Sequence, residues 1–171
     1  GTIAWDSETL DFESNLIGSF NLENLILAAS IAIELNISAQ SIAKGIENCT
    51  NIDGRLHLVE NQKNQMIFLD YAHSPDAYFR TLKALEENFN RPLKVLFGAG
   101  GGRDKSKRPK MAEVVEKYSI ECYLAPDNPR FEDIELINND VIKGFSNESH
   151  HIFNDRKEAL IFALTNLKSD D

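Results

Sequence analysis

The sequence is poor in cysteine, the residue that typifies disulfide-bonded and zinc-stabilised folds. It has only two cysteines, Cys49 and Cys122, which lie far apart and belong to no Cys-x-x-Cys pair or Cys/His cluster. This pattern argues against a disulfide scaffold or a structural zinc site. It favours reduced, buried thiols in a cytosolic protein.

Long hydrophobic runs and positive charge are also scarce. The longest mainly apolar stretch, Leu25 to Ile33, is far shorter than the roughly 20 residues of a bilayer-spanning helix. The first residues lack the basic start and apolar core of a signal peptide, so we expect neither a membrane span nor export. With 18 Lys plus Arg against 27 Asp plus Glu, the net charge of −9 argues against a generic nucleic-acid binder.

The remaining composition is that of a folded globular chain of one domain, or one domain and part of another. Residues 21–35 are dense in Leu, Ile and Ala and predict a largely buried helix. Ser38 is expected to cap a second helix that ends near Asn48. The sequence before residue 53 therefore predicts a helical pair.

Short strands alternate with helices from residue 53 onward. This alternation predicts an α/β fold, with a mostly parallel, Rossmann-like sheet that carries helices on both faces. No internal repeat is present. The predicted strands are 56–59, 66–69, 93–97, 120–124 and 151–153, and the predicted helices are 75–88, 109–118, 133–143 and 155–167.

Three polar clusters follow predicted strands, at the strand ends where open α/β sheets bind ligands. They are residues 70–76 (DYAHSPD), 98–108 (GAGGGRDKSKR) and 127–130 (DNPR). Each also has a simple structural interpretation. The first is a turn whose Asp and Ser cap a helix, the second a flexible, solvated basic loop, and the third an ordinary turn.

The second and third clusters suggest ligand chemistry as well. Glycines at 98–102 let backbone amides approach a ligand, and the cations Arg103, Lys105, Lys107 and Arg108 favour an anion. The dinucleotide fingerprint fits poorly, because it requires glycine where Arg103 stands. In the third cluster, Arg130 is suited to grip a carboxylate while Asp127 and Asn128 receive an ammonium group, which outlines an amino-acid site.

Two weaker candidates lie earlier in the chain. Asn21 and Asn24 share one helix face, and a capping role for Asn21 is the alternative. Arg55, after Gly54, either pairs with a surface acid or reaches a phosphate.

Five segments taken in order carry a family resemblance. They are FNxxN at 20–24, Gly54-Arg55, the 70–76 cluster, the glycine-rich segment 97–109, and DNPRxED at 127–133. Together they resemble the Mur ligase family, and most closely its MurE type, which adds meso-diaminopimelate to UDP-N-acetylmuramoyl-L-alanyl-D-glutamate in peptidoglycan synthesis. The similarity spans nearly the whole chain.

The resemblance implies an ATP- and Mg²⁺-dependent amide ligase that acts through an acyl phosphate. It implies a cytoplasmic, monomeric enzyme of cell wall biogenesis, which supports cell shape and cell division, with no nucleic-acid partner. The family's ATP-contacting residues match Asn21, Asn24, Arg55, Asp70 and His73, and its meso-diaminopimelate-binding residues match Arg103, Asp127, Asn128 and Arg130.

The sequence departs from the family pattern in places. Gly102, Ser74 and Ile134 replace a usual Asp, Thr and Pro. The phosphate-binding Gly-Lys-Thr loop, the carbamylated lysine, the magnesium ligands and the UDP-sugar domain are expected upstream, and a Gly-Lys-Gly-His-Glu motif downstream. We therefore expect a fragment without ligase activity alone and with no metal site. Residues 1–52 would end the central ATP-binding domain, and 53–171 would form most of the C-terminal Rossmann-like domain.

Three alternatives stay open. The first is a lysine-adding Mur ligase or a folate-polyglutamate-type ligase. The second is a non-catalytic, nucleotide-binding Rossmann module, which predicts dinucleotide binding at the Gly98 loop. The third is a pure interaction domain, which leaves the ordered motifs unexplained.

Overall fold

A computed structural model describes residues 1–6, 8–63 and 65–167. Within these ranges no helix is long and apolar enough to cross a membrane. The chain divides into two compact units. The first comprises Gly1–Val59 and Phe68–Tyr71, and the second comprises Glu60–Ile67 and Ala72–Asp171.

The first unit begins with an antiparallel strand pair, β1 (Thr2–Trp5) and β2 (Glu8–Asp11), in which Ile3 lies opposite Leu10. The expectation of a purely helical start was therefore wrong. Each strand has four residues, and the pair buries Leu10 in a core with α1 and α2, which a single short strand cannot do alone.

The two predicted helices of this unit are confirmed. They are α1 (Ser19–Glu34) and α2 (Ala39–Asn48). The Oγ of Ser38 accepts a hydrogen bond from the backbone N–H of Ser41, which is the expected cap of α2. The core residues of the unit are Leu10, Phe12, Leu25, Ala29, Ile42 and Ile46.

The predicted alternation of strands and helices after residue 53 is also confirmed. Strands β3 and β4 form a separate two-stranded sheet, and β5, β6 and β7 form a parallel sheet in that order. The bounds are β3 His57–Val59, β4 Ile67–Leu69, α3 Pro75–Phe89, β5 Lys94–Phe97, α4 Lys107–Tyr118, β6 Glu121–Leu124, α5 Ile134–Ile142, β7 His150–Ile152 and α6 Arg156–Thr165.

Helices cover both faces of the parallel sheet, as predicted. Successive side chains of a strand point to opposite faces. In β6, Cys122 and Leu124 belong to the core formed with α3, α4 and α5, whereas the ring of Tyr123 packs against Phe162 of α6, with ring centroids 6.0 Å apart.

The register of the sheet brings two loops together. Phe97 at the end of β5 lies opposite Leu124 at the end of β6. Because the strands are parallel, the loop after β5 and the segment after β6 leave the same edge of the sheet side by side. These are the second and third polar clusters.

Leu124→Ala is expected to lower the free energy of unfolding by about 2–5 kcal/mol, because Leu124 is fully buried and alanine leaves a cavity. Urea unfolding followed by far-UV circular dichroism measures the loss. Leu136→Ala is the matched control, since Leu136 is 61% exposed and should cost far less. Equal losses from the two changes would contradict the assigned core.

Candidate functional site

The loop after β5 packs backbone to backbone against the segment after β6. A Cβ added to Gly98 would lie 2.1 Å from the carbonyl oxygen of Ala125, and one added to Gly101 would lie 1.9 Å from that of Pro129. Both distances are shorter than any ordinary contact, so only glycine allows this approach. The glycines of this loop therefore bring it against the chain itself.

Hydrogen bonds hold the two segments in register. The N–H of Gly101 donates to the carbonyl of Asn128 at 2.9 Å, and the guanidinium of Arg130 donates to the carbonyl of Gly101. The amide of Gly102 donates to the carboxylate of Glu132. The expectation that these amides face a ligand was therefore wrong for Gly101 and Gly102, because other parts of the chain use both donors. The interpretation as a solvated basic loop agrees with the exposure of residues 102–107.

The Asp127–Arg130 segment makes a tight turn at the surface. Arg130 has a φ of +52°, a left-handed conformation that is uncommon for any residue but glycine. Its backbone N–H donates to Oδ1 of Asn128 at 3.1 Å. The side chains of Asp127, Asn128 and Arg130 are all exposed beside the glycine loop, so the structure brings this part of the candidate set together.

Arg103 lies on the glycine loop and is exposed. Within the described ranges, the structure shows no hydrogen bond or ion pair to its guanidinium. Arg103 thus lies on the same loop as Gly101, which binds Arg130, but its own side chain is not bonded to the Asp127–Arg130 segment.

Arg108 is a buried residue that the sequence analysis misplaced among the ligand-facing cations. Its side chain is only 2% exposed. It donates to both carboxylate oxygens of Glu132 at 3.0 Å, to Oδ2 of Asp140 at 3.1 Å and to the carbonyl of Gly100 at 3.3 Å. A sequence signal existed, because Arg108 shares helical spacing with the buried residues Met111, Ala112 and Val115.

Glu132 joins the glycine loop to α4. It accepts the amide of Gly102, it pairs with Arg108, and Nζ of Lys105 lies 3.2 Å away. The hydrogen bond from the Gly102 amide, and then the hydrogen bond from the Arg108 side chain, lower the pKa of Glu132 from 4.5 to about 2. Glu132 is therefore ionised throughout the neutral range.

In the first unit, the region around Arg55 is held to the region around Asp70. Oδ2 of Asp70 accepts the N–H of Leu56 at 2.9 Å, and the N–H of Tyr71 donates to the carbonyl of Gly54 at 2.8 Å. Arg55 is exposed between these contacts. The Asp of the expected helix start is Asp76, which stands in the first turn of α3.

The other expected cap, Ser74, is confirmed. Its Oγ accepts the N–H of Ala77 at 3.3 Å at the start of α3. His73, just before it, is exposed and belongs to the second unit.

Asn21 and Asn24 have different environments on α1. Asn21 is fully buried, and its Nδ2 donates to the carbonyl of Ile17 at 2.8 Å, while its Oδ1 is buried with no hydrogen-bond partner among the described residues. Asn24 is exposed. Gly18 occupies the N-cap position of α1, so the capping alternative for Asn21 was wrong.

The residues that the structure describes contain no group of three or more His, Cys, Asp or Glu side chains arranged to hold a metal ion. Glu132 and Asp140 pair with Arg108, and Asp70 accepts a backbone amide.

The architecture is that of an α/β protein with a parallel sheet, and two loops meet at the carboxyl edge of that sheet. In this class of protein, ligands bind at the carboxyl ends of the strands. Residues 54–171 match the family described as Mur ligase, glutamate ligase domain, and the chain belongs to the Mur ligase family.

Among curated proteins, a Bacillus cereus relative is named UDP-N-acetylmuramoyl-L-alanyl-D-glutamate--2,6-diaminopimelate ligase. It is 32% identical over 99% of this chain, and the match covers 35% of the relative. The chain thus spans about a third of the length of the curated relatives it matches.

Two solved structures share the fold. One, titled as the structure of a ligase with that same name, has a TM-score of 0.66 and 32% identity over 99% of this chain and 35% of its own. A Mycobacterium tuberculosis folylpolyglutamate synthase, complexed with ADP and AMPPCP, has a TM-score of 0.75 over 92% of this chain and 36% of its own. At 18% identity the likeness to the synthase concerns the fold alone.

Gly101→Ala is expected to lower the free energy of unfolding by about 1–3 kcal/mol, because the new Cβ meets the carbonyl of Pro129 and the two loops must separate. The control is Gly45→Ala in α2, where a Cβ meets nothing within 4 Å and alanine should stabilise the helix by roughly 0.5–1 kcal/mol. Urea unfolding of both variants gives the comparison. A neutral Gly101→Ala would count against the close packing of the loops.

The lowered pKa of Glu132 makes its contribution to stability pH-dependent. A carboxyl whose pKa falls on folding stabilises the native state above its unfolded pKa and loses that effect as pH falls toward the folded pKa. Wild type should therefore be more stable than Glu132→Gln at pH 6, and the difference should shrink between pH 4.5 and about 2. Urea unfolding across this range tests it, and a pH-independent difference would contradict it.

Proposed function

We propose that this chain forms part of an ATP-dependent amide ligase that adds meso-diaminopimelate to UDP-N-acetylmuramoyl-L-alanyl-D-glutamate in peptidoglycan precursor synthesis. Membership of the Mur ligase family and the name of the Bacillus cereus relative support it. The observation that carries it is the fixed meeting of the glycine loop with Asp127–Arg130, which gathers groups suited to an amino acid on one surface.

Asp127, Asn128, Arg130 and Arg103 form the proposed diaminopimelate site. A guanidinium has five N–H donors, and Gly101 uses one from Arg130, so a bidentate grip on a substrate carboxylate remains open. The exposed carboxylate of Asp127 and the amide of Asn128 suit an ammonium group. Because L-lysine lacks the distal carboxylate, a planar cation here favours diaminopimelate over L-lysine.

Asn21, Asn24, Arg55, Asp70 and His73 are the proposed ATP residues. The synthase of the same fold was solved with ADP and AMPPCP, which supports nucleotide use in this architecture. Two groups support the assignment. The Oδ1 of Asn21 is buried without a hydrogen-bond partner among the described residues and suits adenine, and the exposed cation of Arg55 suits a phosphate.

In the proposed reaction, ATP phosphorylates the side-chain carboxylate of the D-glutamyl residue. The amine of diaminopimelate attacks the acyl phosphate, and collapse of the tetrahedral intermediate releases phosphate and leaves the amide. The residues of this chain contribute by holding the amine in position, which can lower the barrier by several kcal/mol. The described residues do not fit a magnesium site, so no step is assigned to magnesium here.

Residues 1–52 are proposed to end the ATP-binding domain and residues 53–171 to belong to the C-terminal domain of that enzyme. The cytoplasmic location and the monomeric state stay predictions. A folate-polyglutamate-type ligase is the second candidate, because the folylpolyglutamate synthase matches the fold with a TM-score of 0.75.

Phosphate release tests the substrate directly. A full-length protein containing this chain, with ATP, Mg²⁺ and UDP-N-acetylmuramoyl-L-alanyl-D-glutamate, should turn over with meso-diaminopimelate and not with L-lysine. Arg130→Lys should raise the KM for meso-diaminopimelate about tenfold to a hundredfold, because a bidentate charged hydrogen-bond pair is lost.

Arg91→Lys is the matched control, since Arg91 is exposed outside both proposed sites and should leave KM unchanged. The isolated chain should form no amide product. Turnover with L-lysine would replace the diaminopimelate assignment by the lysine-adding alternative, and turnover with neither amino acid would contradict the proposed ligase.

A further inference from the structure

We propose that Glu132, held by the buried Arg108, is a positioning residue that sets the geometry of the amino-acid pocket. The inference rests on the proposed function of the Asp127–Arg130 segment. Glu132 does not take the role of a ligand contact, because its two oxygens already bind protein donors.

Glu132 is the link between the two walls of the pocket. It stands two residues after Arg130, in the segment that follows β6, and its carboxylate reaches across to the amide of Gly102 in the loop that follows β5. Its backbone N–H donates to the carbonyl of Pro129 at 2.9 Å, which closes the turn that carries Arg130. The side chain of Glu132 thus fixes the loop after β5, and its backbone amide fixes the turn after β6.

Arg108 makes the position of this carboxylate obligatory. A guanidinium that is 2% exposed needs negative partners, and Glu132 offers both oxygens at 3.0 Å. The same guanidinium donates to the carbonyl of Gly100, one residue before the carbonyl that Arg130 binds. Arg108 and Arg130 therefore hold neighbouring carbonyls of the glycine loop.

The second partner of Arg108 lacks this connection. Asp140, on α5, binds Arg108 at 3.1 Å and Lys143 at 2.7 Å, and neither contact reaches the loops. Both Asp140 and Glu132 thus neutralise the charge of Arg108, whereas Glu132 also binds the Gly102 amide. This separates a positioning role from a purely structural one.

Glu132→Gln in the full-length protein tests the proposal through steady-state kinetics. The neutral amide keeps the size of the side chain but weakens its bonds to Arg108 and Gly102. The KM for meso-diaminopimelate should rise about tenfold, the cost of one hydrogen bond to a charged group, while the KM for ATP stays within about twofold.

Glu116→Gln is the matched control. Glu116 also holds a loop through its carboxylate, which accepts the amides of Ser146 and Asn147, but that loop precedes β7 and lies outside the proposed pocket. It should leave both KM values within about twofold. Three outcomes would overturn the positioning role. They are an equal rise in both KM values for Glu132→Gln, no rise in either KM for that variant, and the same rise in Glu116→Gln.

Hydrogen exchange separates this proposal from the proposed function. Amides of residues 98–108 should exchange at least about fivefold faster in Glu132→Gln than in wild type. Their exchange rates should be unchanged in Glu116→Gln. If the wild-type protein turns over neither diamino acid, the ligase assignment is contradicted. Hydrogen exchange then decides whether Glu132 holds the loop. Unchanged exchange in Glu132→Gln would overturn that role whatever the turnover.

Discussion

The buried positive charge of Arg108 is the constraint on which the candidate amino-acid site depends. Removing a guanidinium from water is costly unless carboxylates and carbonyls replace the lost solvation. Glu132 and Asp140 supply that replacement, and Glu132 does so from the segment that carries Arg130. Neutralising one buried charge therefore also determines where the segment after β6 lies against the loop after β5.

Glycine makes this arrangement sterically feasible. Gly98 and Gly101 let two backbones approach to distances that no side chain would tolerate, and the amides and carbonyls then pair across the gap. These backbone groups are used internally. The candidate groups left at the surface are therefore side chains, those of Arg103, Asp127, Asn128 and Arg130. Fixed backbone at the proposed site agrees with the proposed ligase, in which correct placement of the attacking amine lowers the barrier.

Local signals predicted most of the helices and the strands after residue 53. The caps at Ser38 and Ser74 each depend on one side chain and an amide three residues later, so the sequence contains all that is needed. The strand pair at the start was missed because each strand is four residues long and its apolar residues are buried only against α1 and α2. Propensity over so short a segment does not outweigh such tertiary packing.

The sequence by itself determined the order of helices and strands, the helix caps and the motifs of the Mur ligase family. Only the tertiary structure decided which cations are exposed and which are buried. Arg103 and Arg108 stand five positions apart in one basic segment, yet one is exposed and the other is buried. The physical reason is distance along the chain, because the partners of Arg108 lie 24 and 32 positions away and meet it only when α4 packs on the sheet.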